Sequence, residues 1–431
     1  MKQINIGLAG LGTIGAGVYK NLAQNRTLLM QRLGLELVVK KVAERQWDSP
    51  REIMPTEEQR TTRWEDLVED PSIHVIVELI GGTKVALQLI LRAIEAGKIV
   101  VTANKALLSQ HGKEIFELAA KHKVPVFFEA AAAGGIPIIK TLNEAFIANH
   151  IISMHGIVNG TCNYILTQMS EGGQSFQDAL SDAQKAGYAE ADPTLDITGG
   201  DAAHKAVILA SLAYGFWVPE EKVYVEGIEK ITAADIRVAK QLGYCIKLLA
   251  IIKSEDRSEI EVRVHPVLIP SSHVLASVSG VFNAVAVHGD VVGETLFYGR
   301  GAGQDATSSA VISDIAEAAL AIESPRRNIG FTPHALYGTC KPIDQIISQY
   351  YLRIPVIDQP GVLAQVASIM GNHNIGIASV LQPESEEGTE VSLSLMTHSA
   401  SNAQITAAMQ EIGNLSCVKR QPHMIRVETF S

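Results

Sequence analysis

Ile4-Asn-Ile-Gly-Leu-Ala-Gly10-Leu11-Gly12-Thr13-Ile14-Gly15 is a short apolar strand that runs straight into a glycine-rich turn and a helical pattern. In this arrangement Gly10 permits the tight turn and Gly12 lets a pyrophosphate approach the backbone. Gly15 lets the helix close on the strand, and free N–H groups at the helix N-terminus face the phosphates. A GxGxxG alone is a weak signal, and a glycine turn without a ligand is the bland alternative. The strand before it and the helix after it supply the context that points to a dinucleotide.

Working outward, apolar strands are expected over 4–9, 35–43, 75–80, 99–102 and 125–129, with helices over 13–29 and 85–96. Strands alternating with helices at this spacing mean βαβ units and a parallel sheet. The pattern changes after about residue 136. Helices over 138–147, 175–186, 201–214 and 233–241 then mix with strands over 151–158, 260–268 and 284–287, an α+β segment. A glycine turn over 299–303 leads into an Ala-rich helix from 307 to about 322. The expected fold class is therefore α/β: a Rossmann-type parallel sheet over 1–135 completed by about 304–325, then an α+β domain over 136–303. A linker over 326–348 and a βαββαβ domain over 349–431 follow.

The chain has 431 residues, 47% hydrophobic and 19% charged, enough to bury large cores. Nucleic-acid or membrane-surface binding requires a basic face, and a net charge of −10 argues against both. The four cysteines Cys162, Cys245, Cys340 and Cys417 are far apart, against a disulfide scaffold or zinc site and consistent with a reducing cytoplasm. No apolar run reaches the ~18 residues of a membrane span. A soluble cytoplasmic enzyme is expected.

The end of the second strand, Lys40-Lys-Val-Ala-Glu44-Arg45, should meet the adenosine ribose. An acidic residue there favours NAD and a basic one NADP. Arg45 could pair with a 2′-phosphate and Glu44 with a ribose hydroxyl; the balance leans to NADP, with NAD left open. Gly81 and Thr102-Ala-Asn104-Lys105 stand at the carboxyl ends of later strands, where open sheets bind ligands. Lys105 either projects into that crevice or is a solvated loop residue.

The densest polar stretch is Ala183-Gln-Lys-Ala-Gly187-Tyr188-Ala-Glu190-Ala-Asp192-Pro193-Thr-Leu-Asp196-Ile-Thr-Gly199-Gly-Asp201-Ala-Ala-His-Lys205. Asp201 and Lys205 share one helical face, and the Ala-Val-Ile-Leu-Ala that follows argues for a buried helix. A buried lysine needs a partner or a task. Taken as a pair, the two read more simply as a solvated helix pair with Asp201 as cap. Four carboxylates beside one lysine shift the reading toward a polar substrate site.

This stretch resembles the signature of homoserine dehydrogenases through Ala183, Gly187, Tyr188, Asp192-Pro193, Asp196, Gly199, Asp201 and Lys205. Val101-Thr-Ala-Asn-Lys105, Phe128-Glu129 with Gly134-Gly-Ile136-Pro, and Gly156-Ile-Val-Asn-Gly160-Thr-Cys-Asn-Tyr164 are also similar to that family, so the likeness covers nearly the whole chain. No aspartokinase-like stretch precedes Met1, which looks like the monofunctional form. The resemblance implies NAD(P)-linked interconversion of aspartate 4-semialdehyde and homoserine in threonine, methionine and isoleucine biosynthesis. It implies Lys205 as general acid/base, Lys105 as polarising group, and Glu190, Asp201, Asp196 and Tyr188 at the substrate. Gly187, Gly301 and Gly303 would approach the cofactor. A sodium ion would sit on the backbone carbonyls of Glu129, Ala132, Gly134 and Ile136. Cys162 stands where threonine is common, and Ala306 where proline often follows the Gly-Ala-Gly turn.

The terminal βαββαβ pattern resembles an ACT domain, an amino-acid-sensing module. Its effector would bind beside the Asp358-Gln-Pro-Gly361 turn, at Asp358, Gly361, Val362 and Asn374, with threonine the expected effector. A passive dimerisation module is the alternative, kept open by Pro355 inside a strand. A homodimer or homotetramer is expected, without nucleic-acid or membrane partners. Two rival functions are a non-enzymatic amino-acid sensor and a semialdehyde dehydrogenase using Cys162 as nucleophile with His155 nearby.

Overall fold

The structure, a computed structural model, describes residues 1–48, 53–255, 257–324, 330–383 and 388–430. In chain order the first elements are β1 (Lys2–Ala9), α1 (Thr13–Gln24), α2 (Arg26–Leu33), β2 (Leu35–Ala43), β3 (Arg60–Thr61), α3 (Glu65–Glu69), β4 (Val75–Glu78), α4 (Lys84–Glu95), β5 (Ile99–Thr102), α5 (Lys105–His122) and β6 (Val126–Phe127). Next come α6 (Ile138–Lys140), β7 (Ile151–Ile157), α7 (Gly160–Glu171), α8 (Phe176–Lys185), α9 (Thr194–Ile197), α10 (Gly200–Tyr214), β8 (Tyr224–Val225), α11 (Ala233–Gln241), β9 (Tyr244–Lys253) and β10 (Glu259–Pro270). The rest are β11 (Phe282–Gly289), β12 (Gly293–Arg300), α12 (Gln304–Glu323), β13 (Thr339–Cys340), β14 (Ile347–Ile357), α13 (Val362–Asn372), β15 (Ile377–Leu381), β16 (Glu390–Thr397), β17 (Ala400–Ser401), α14 (Asn402–Gly413) and β18 (His423–Val427). Contacts divide the chain into two compact units. One is Met1–Met154, Ala203–Glu221 and Asn283–Gly338; the other is His155–Ala202, Lys222–Phe282 and Thr339–Ser431.

The first unit holds the expected parallel sheet, in the order β3-β2-β1-β4-β5-β6. β4 and β5 are buried at every position, as a parallel sheet covered on both faces requires. Ile4, Ile6 and Leu8 of β1 are fully buried, each worth about 1.5–3 kcal/mol. Val311, Ile315 and Ala319 of α12 join the same core, so this late helix completes the early sheet.

Several expected boundaries shift for local reasons. The helix expected over 13–29 is two helices, because the Asn25 side chain donates to the Asn21 carbonyl and its backbone leaves helical geometry. Only Ile138–Lys140 of the helix expected over 138–147 is α-helical. A wider π turn follows, closed by Phe146 N–H to the Thr141 carbonyl. The strand expected over 125–129 shortens to Val126–Phe127 and passes into a 3₁₀ turn. Helices α5 and α7 and strand β9 were not anticipated.

In the second unit the sheet runs β9-β10-β18-β14-β16-β15, with β8 and β13 also paired to β10. The terminal βαββαβ pattern is present, and its own core gathers Tyr350, Leu352, Val366, Ile369, Leu393 and Ile405. It does not stand apart as expected. β18 pairs in parallel with β10 at Val267–Arg426 and Leu268–Val427, making one sheet of the middle strands and the terminal module. Pro355 is tolerated because β18 pairs with β14 only as far as Arg353, and beyond it the Pro355 carbonyl accepts the Lys419 N–H.

The expected linker is also corrected. Residues 326–329 lie outside the described residues; beyond them the segment is anchored at buried Phe331 and Tyr337, with 332–336 exposed. Phe331 contacts the rings of Phe116 and Trp217, and Tyr337 contacts Tyr214, all within the first unit. Thr339–Cys340 pairs with β10 in the second.

Candidate active site

A cleft of about 550 Å³ opens at the carboxyl ends of β1, β2 and β4, where the strand order reverses, and is lined by Gly10, Gly12, Glu44, Arg45, Gly81 and Gly82 among others. The three motif glycines are there for different reasons. Gly10 has φ +92°, and a Cβ on it would lie 2.4 Å from the Leu79 carbonyl oxygen; one on Gly15 would lie 2.1 Å from the Gly10 oxygen. The chain itself demands those two. A Cβ on Gly12 would meet nothing within 4 Å, so its small size leaves room for a ligand instead. Thr13 and Ile14 open α1 directly behind it.

Glu44 differs from the expectation. Its carboxylate accepts the Leu11 N–H and the Arg45 N–H, both at 2.9 Å, so it braces the glycine turn. The Thr102 side chain is committed as well. Its hydroxyl is fully buried, donates to Glu78 at 2.7 Å and accepts the Asn104 N–H, so its role is to shape the loop. Glu78 is the hub that sequence reasoning passed over. Burial raises its carboxyl above the ordinary range, while bonds from Thr102 and the Ile80 N–H oppose this. A glutamate ending the apolar run Val75-Ile-Val-Glu78 was the available signal.

Lys105 is the first residue of α5, not a loop residue, with Asn104 as cap through the Leu107 N–H. A cation at a helix N-terminus opposes the helix dipole, so the position does not serve helix stability. One turn later Ser109 donates to Glu220 at 2.9 Å, and the other Glu220 oxygen is 3.3 Å from His204, the neighbour of Lys205. Gly112 lets the Trp217 ring seat on α5, since a Cβ there would lie 2.0 Å from that ring. Within the first unit, α5 and α10 are therefore tied together next to their lysines. Asp201 and Lys205, one turn apart on α10, are 7% and 8% exposed, which removes the solvated-pair reading.

In the second unit the four carboxylates separate by role. Asp196 and Asp201 converge on Asn159, whose side-chain nitrogen donates to them at 2.7 and 2.8 Å. Asp192 is spent on the backbone and hydroxyl of Thr194, which lower its pKa. Glu190 and Tyr188 are exposed, and Tyr188 packs its ring 4.9 Å from Tyr164. Gly187, φ +76°, ends α8 in the left-handed conformation that favours glycine. Cys162 is fully buried with its thiol 3.2 Å from the Asp196 carbonyl, and His155 is committed to Glu428. The cysteine acts as packing, and the thioester reading loses its base.

Among the other expected residues, Glu129 is buried. Its carboxylate accepts the Ile139 and Lys140 N–H groups, and burial above all pushes its pKa up to about 7. Its own N–H donates to Asp314, itself raised well above the ordinary range by burial and by Glu129. Ala132 is followed by two left-handed residues, Ala133 (φ 55°) and Gly134 (φ 50°), and the Ile136 carbonyl accepts the Ile138 N–H. Gly134 packs on Gly301 so closely that a Cβ would lie 2.4 Å from its oxygen. Gly303 caps α12, where Ala306 sits in the first turn against Gly135. Among the described residues no cluster of three or more His, Cys, Asp or Glu forms a metal site. Also among them, no helix is long and apolar enough to cross a membrane. In the terminal module, Asp358 accepts from Gln382, Gly361 (φ 88°) precedes Val362 at the start of α13, and Asn374 has φ 57°.

The first unit holds a dinucleotide cradle of the kind that binds a nicotinamide cofactor. The chain is an oxidoreductase that takes a nicotinamide cofactor. Residues 10–129 match the family described as homoserine dehydrogenase, NAD binding domain; residues 137–316 match homoserine dehydrogenase, and 350–417 the ACT domain. A homoserine dehydrogenase of Neisseria gonorrhoeae is 45% identical over the whole of both chains. The crystal structure of one from Thiobacillus denitrificans is 42% identical, with a TM-score of 0.91 over 99% of each chain. A hyperthermophilic archaeal homoserine dehydrogenase in complex with NADPH is 27% identical, with a TM-score of 0.61 over 76% of this chain and 99% of that one. The chain belongs to the homoserine dehydrogenase family.

Proposed function

We propose that the enzyme catalyses the reversible NAD(P)H-dependent reduction of L-aspartate 4-semialdehyde to L-homoserine, a step toward threonine, methionine and isoleucine. The single observation that carries the site assignment is the buried lysine Lys205, one helical turn from buried Asp201. When bound, the reduced nicotinamide supplies a hydride to the aldehyde carbon. Lys205 gives its proton to the oxygen as alkoxide charge builds there, and takes it back in the oxidation direction. Lys105 polarises the same oxygen. Asp201, Asp196 and Glu190 hold the substrate ammonium, with Tyr188 alongside. Gly10 to Gly15, Arg45, Gly81, Gly187, Gly301 and Gly303 hold the dinucleotide, the open face of Gly12 being the cradle for its pyrophosphate. Homoserine-dependent reduction of NADP⁺ or NAD⁺ tests the assignment, and a purified, folded protein without that activity would return the sensor reading.

The cofactor preference we infer is NADP, through Arg45 at the mouth of the cleft. Arg45→Ala should weaken NADP by roughly tenfold or more and NAD little, since a charged hydrogen bond is worth about 1.5–3 kcal/mol. Equal losses for both cofactors, measured by fluorescence titration, would exclude phosphate reading by Arg45.

A sodium ion on the carbonyls of Glu129, Ala132, Gly134 and Ile136 suits the sharp left-handed turn at Ala133–Gly134 and a hard cation's taste for neutral oxygen donors. Threonine is the proposed effector at Asp358, Gly361, Val362 and Asn374. The proposed assembly is a homodimer or a dimer of dimers in the cytoplasm. It is supported by β12, whose outward residues Leu296 and Tyr298 are exposed next to Val291 and Val292. Sedimentation should find no stable monomer at micromolar concentration.

A further inference from the structure

We propose that Asn159 is a positioning residue for the reaction, its amide fixing Asp196 and Asp201 as one array for the substrate ammonium. The proposal deepens the functional assignment above and rests on it. Asn159 is 4% exposed and follows β7 at the N-terminus of α7. Its side-chain oxygen accepts the Cys162 N–H at 2.8 Å and so caps the helix. Its side-chain nitrogen donates to Asp196 Oδ1 at 2.7 Å and Asp201 Oδ2 at 2.8 Å. One neutral amide thus has its oxygen locked by a helix end and its nitrogen shared between two carboxylates from different elements.

The surroundings hold the carboxylates to that meeting point. Asp196 lies on α9, where the Cys162 thiol meets its carbonyl and the Ile228 N–H bonds the Ile197 carbonyl. Gly199, φ +88°, turns the chain between α9 and α10. Two carboxylates whose oxygens share one hydrogen-bond donor lie close enough to repel. The amide gives each carboxylate one charge-assisted bond and so fixes their spacing, one helical turn from the Lys205 ammonium.

Capping and positioning can be separated, because aspartate and serine both cap helices but neither offers an amide nitrogen. Asn159→Asp should keep α7 capped, place a third carboxylate against the pair, and raise the KM for homoserine roughly ten- to a hundredfold at pH 8. Asn159→Ser should raise KM too, since a hydroxyl caps α7 but cannot donate to both carboxylates. For both variants the dissociation constant for NADP should stay within about twofold. Asp201→Ala, run in parallel, tests the underlying assignment. If it raises the homoserine KM while Asn159→Asp and Asn159→Ser, folded by circular dichroism, do not, the positioning role is overturned and the substrate site stands. If Asp201→Ala leaves KM unchanged, the substrate assignment fails and this role fails with it.

Discussion

Lys205→Ala should lower turnover with homoserine by roughly 10²–10⁴-fold while the protein folds as before, the range lost when a positioned general acid is removed. The fold should survive because α10 buries nearly every residue from Asp201 to Ser211 and alanine is the best helix former. Lys205→Arg sharpens the test. A guanidinium keeps the positive charge but does not release its proton near neutral pH, so it should fail to restore turnover if proton transfer is the task. Initial rates with saturating cofactor, beside melting curves for each variant, decide the matter. Near-normal kcat in folded Lys205→Ala would remove Lys205 from the chemistry.

The parts of this protein readable from sequence are those whose cause is local. Gly10 and Gly15 announce the nucleotide turn because the backbone admits nothing larger at either place. The run after Lys205 shows a buried helix because no polar residue interrupts it. What stayed hidden depends on partners distant in sequence. Asn159 reads as an ordinary loop asparagine, since Asp196 and Asp201 lie 37 and 42 positions away. Glu220 has no local sign of holding Ser109 and His204. The last strand of the parallel sheet is shorter than its apolar run suggests, because the chain turns into a 3₁₀ segment at Glu129. The segment before β14 lacks clear periodicity and so reads as a linker, but the buried rings of Phe331 and Tyr337 outweigh that pattern. The join of β18 to β10 links residues about 160 apart, which neither periodicity nor turn chemistry can foretell.

That join changes the expected result of removing the C-terminal module. From the pattern alone, deletion from about residue 346 should leave catalysis intact and abolish regulation; the structure predicts that the second unit unfolds instead. Deletion strips β18 from β10, leaving that part of β10 without its neighbour. It also removes Glu428, which is 2% exposed, 3.2 Å from both Arg263 and His155, and bonded to Lys253. Burial alone would raise the Glu428 carboxyl, but Arg263, His155 and Lys253 overcome that and hold it well below the usual carboxylate range. Arg263 is as buried as its partner, and breaking such a pair costs about 3–5 kcal/mol against a total stability of about 5–15 kcal/mol. Glu428→Gln should therefore lower the urea midpoint markedly at pH 7. A carboxylate with a depressed folded pKa stabilises fully above its unfolded value near 4.3 and loses that contribution as pH falls through the folded one. The gap between wild type and Glu428→Gln should accordingly narrow at pH 3. Regulation is better tested by Asp358→Ala, in the turn that Gln382 braces. This variant should keep turnover and lose inhibition by threonine, a coupling of about 1–3 kcal/mol. A truncated chain that stays soluble, folded and fully active would refute the clamp at Glu428. A full-length enzyme indifferent to threonine and to other aspartate-family amino acids would leave the terminal module as a structural part of the sheet and nothing more.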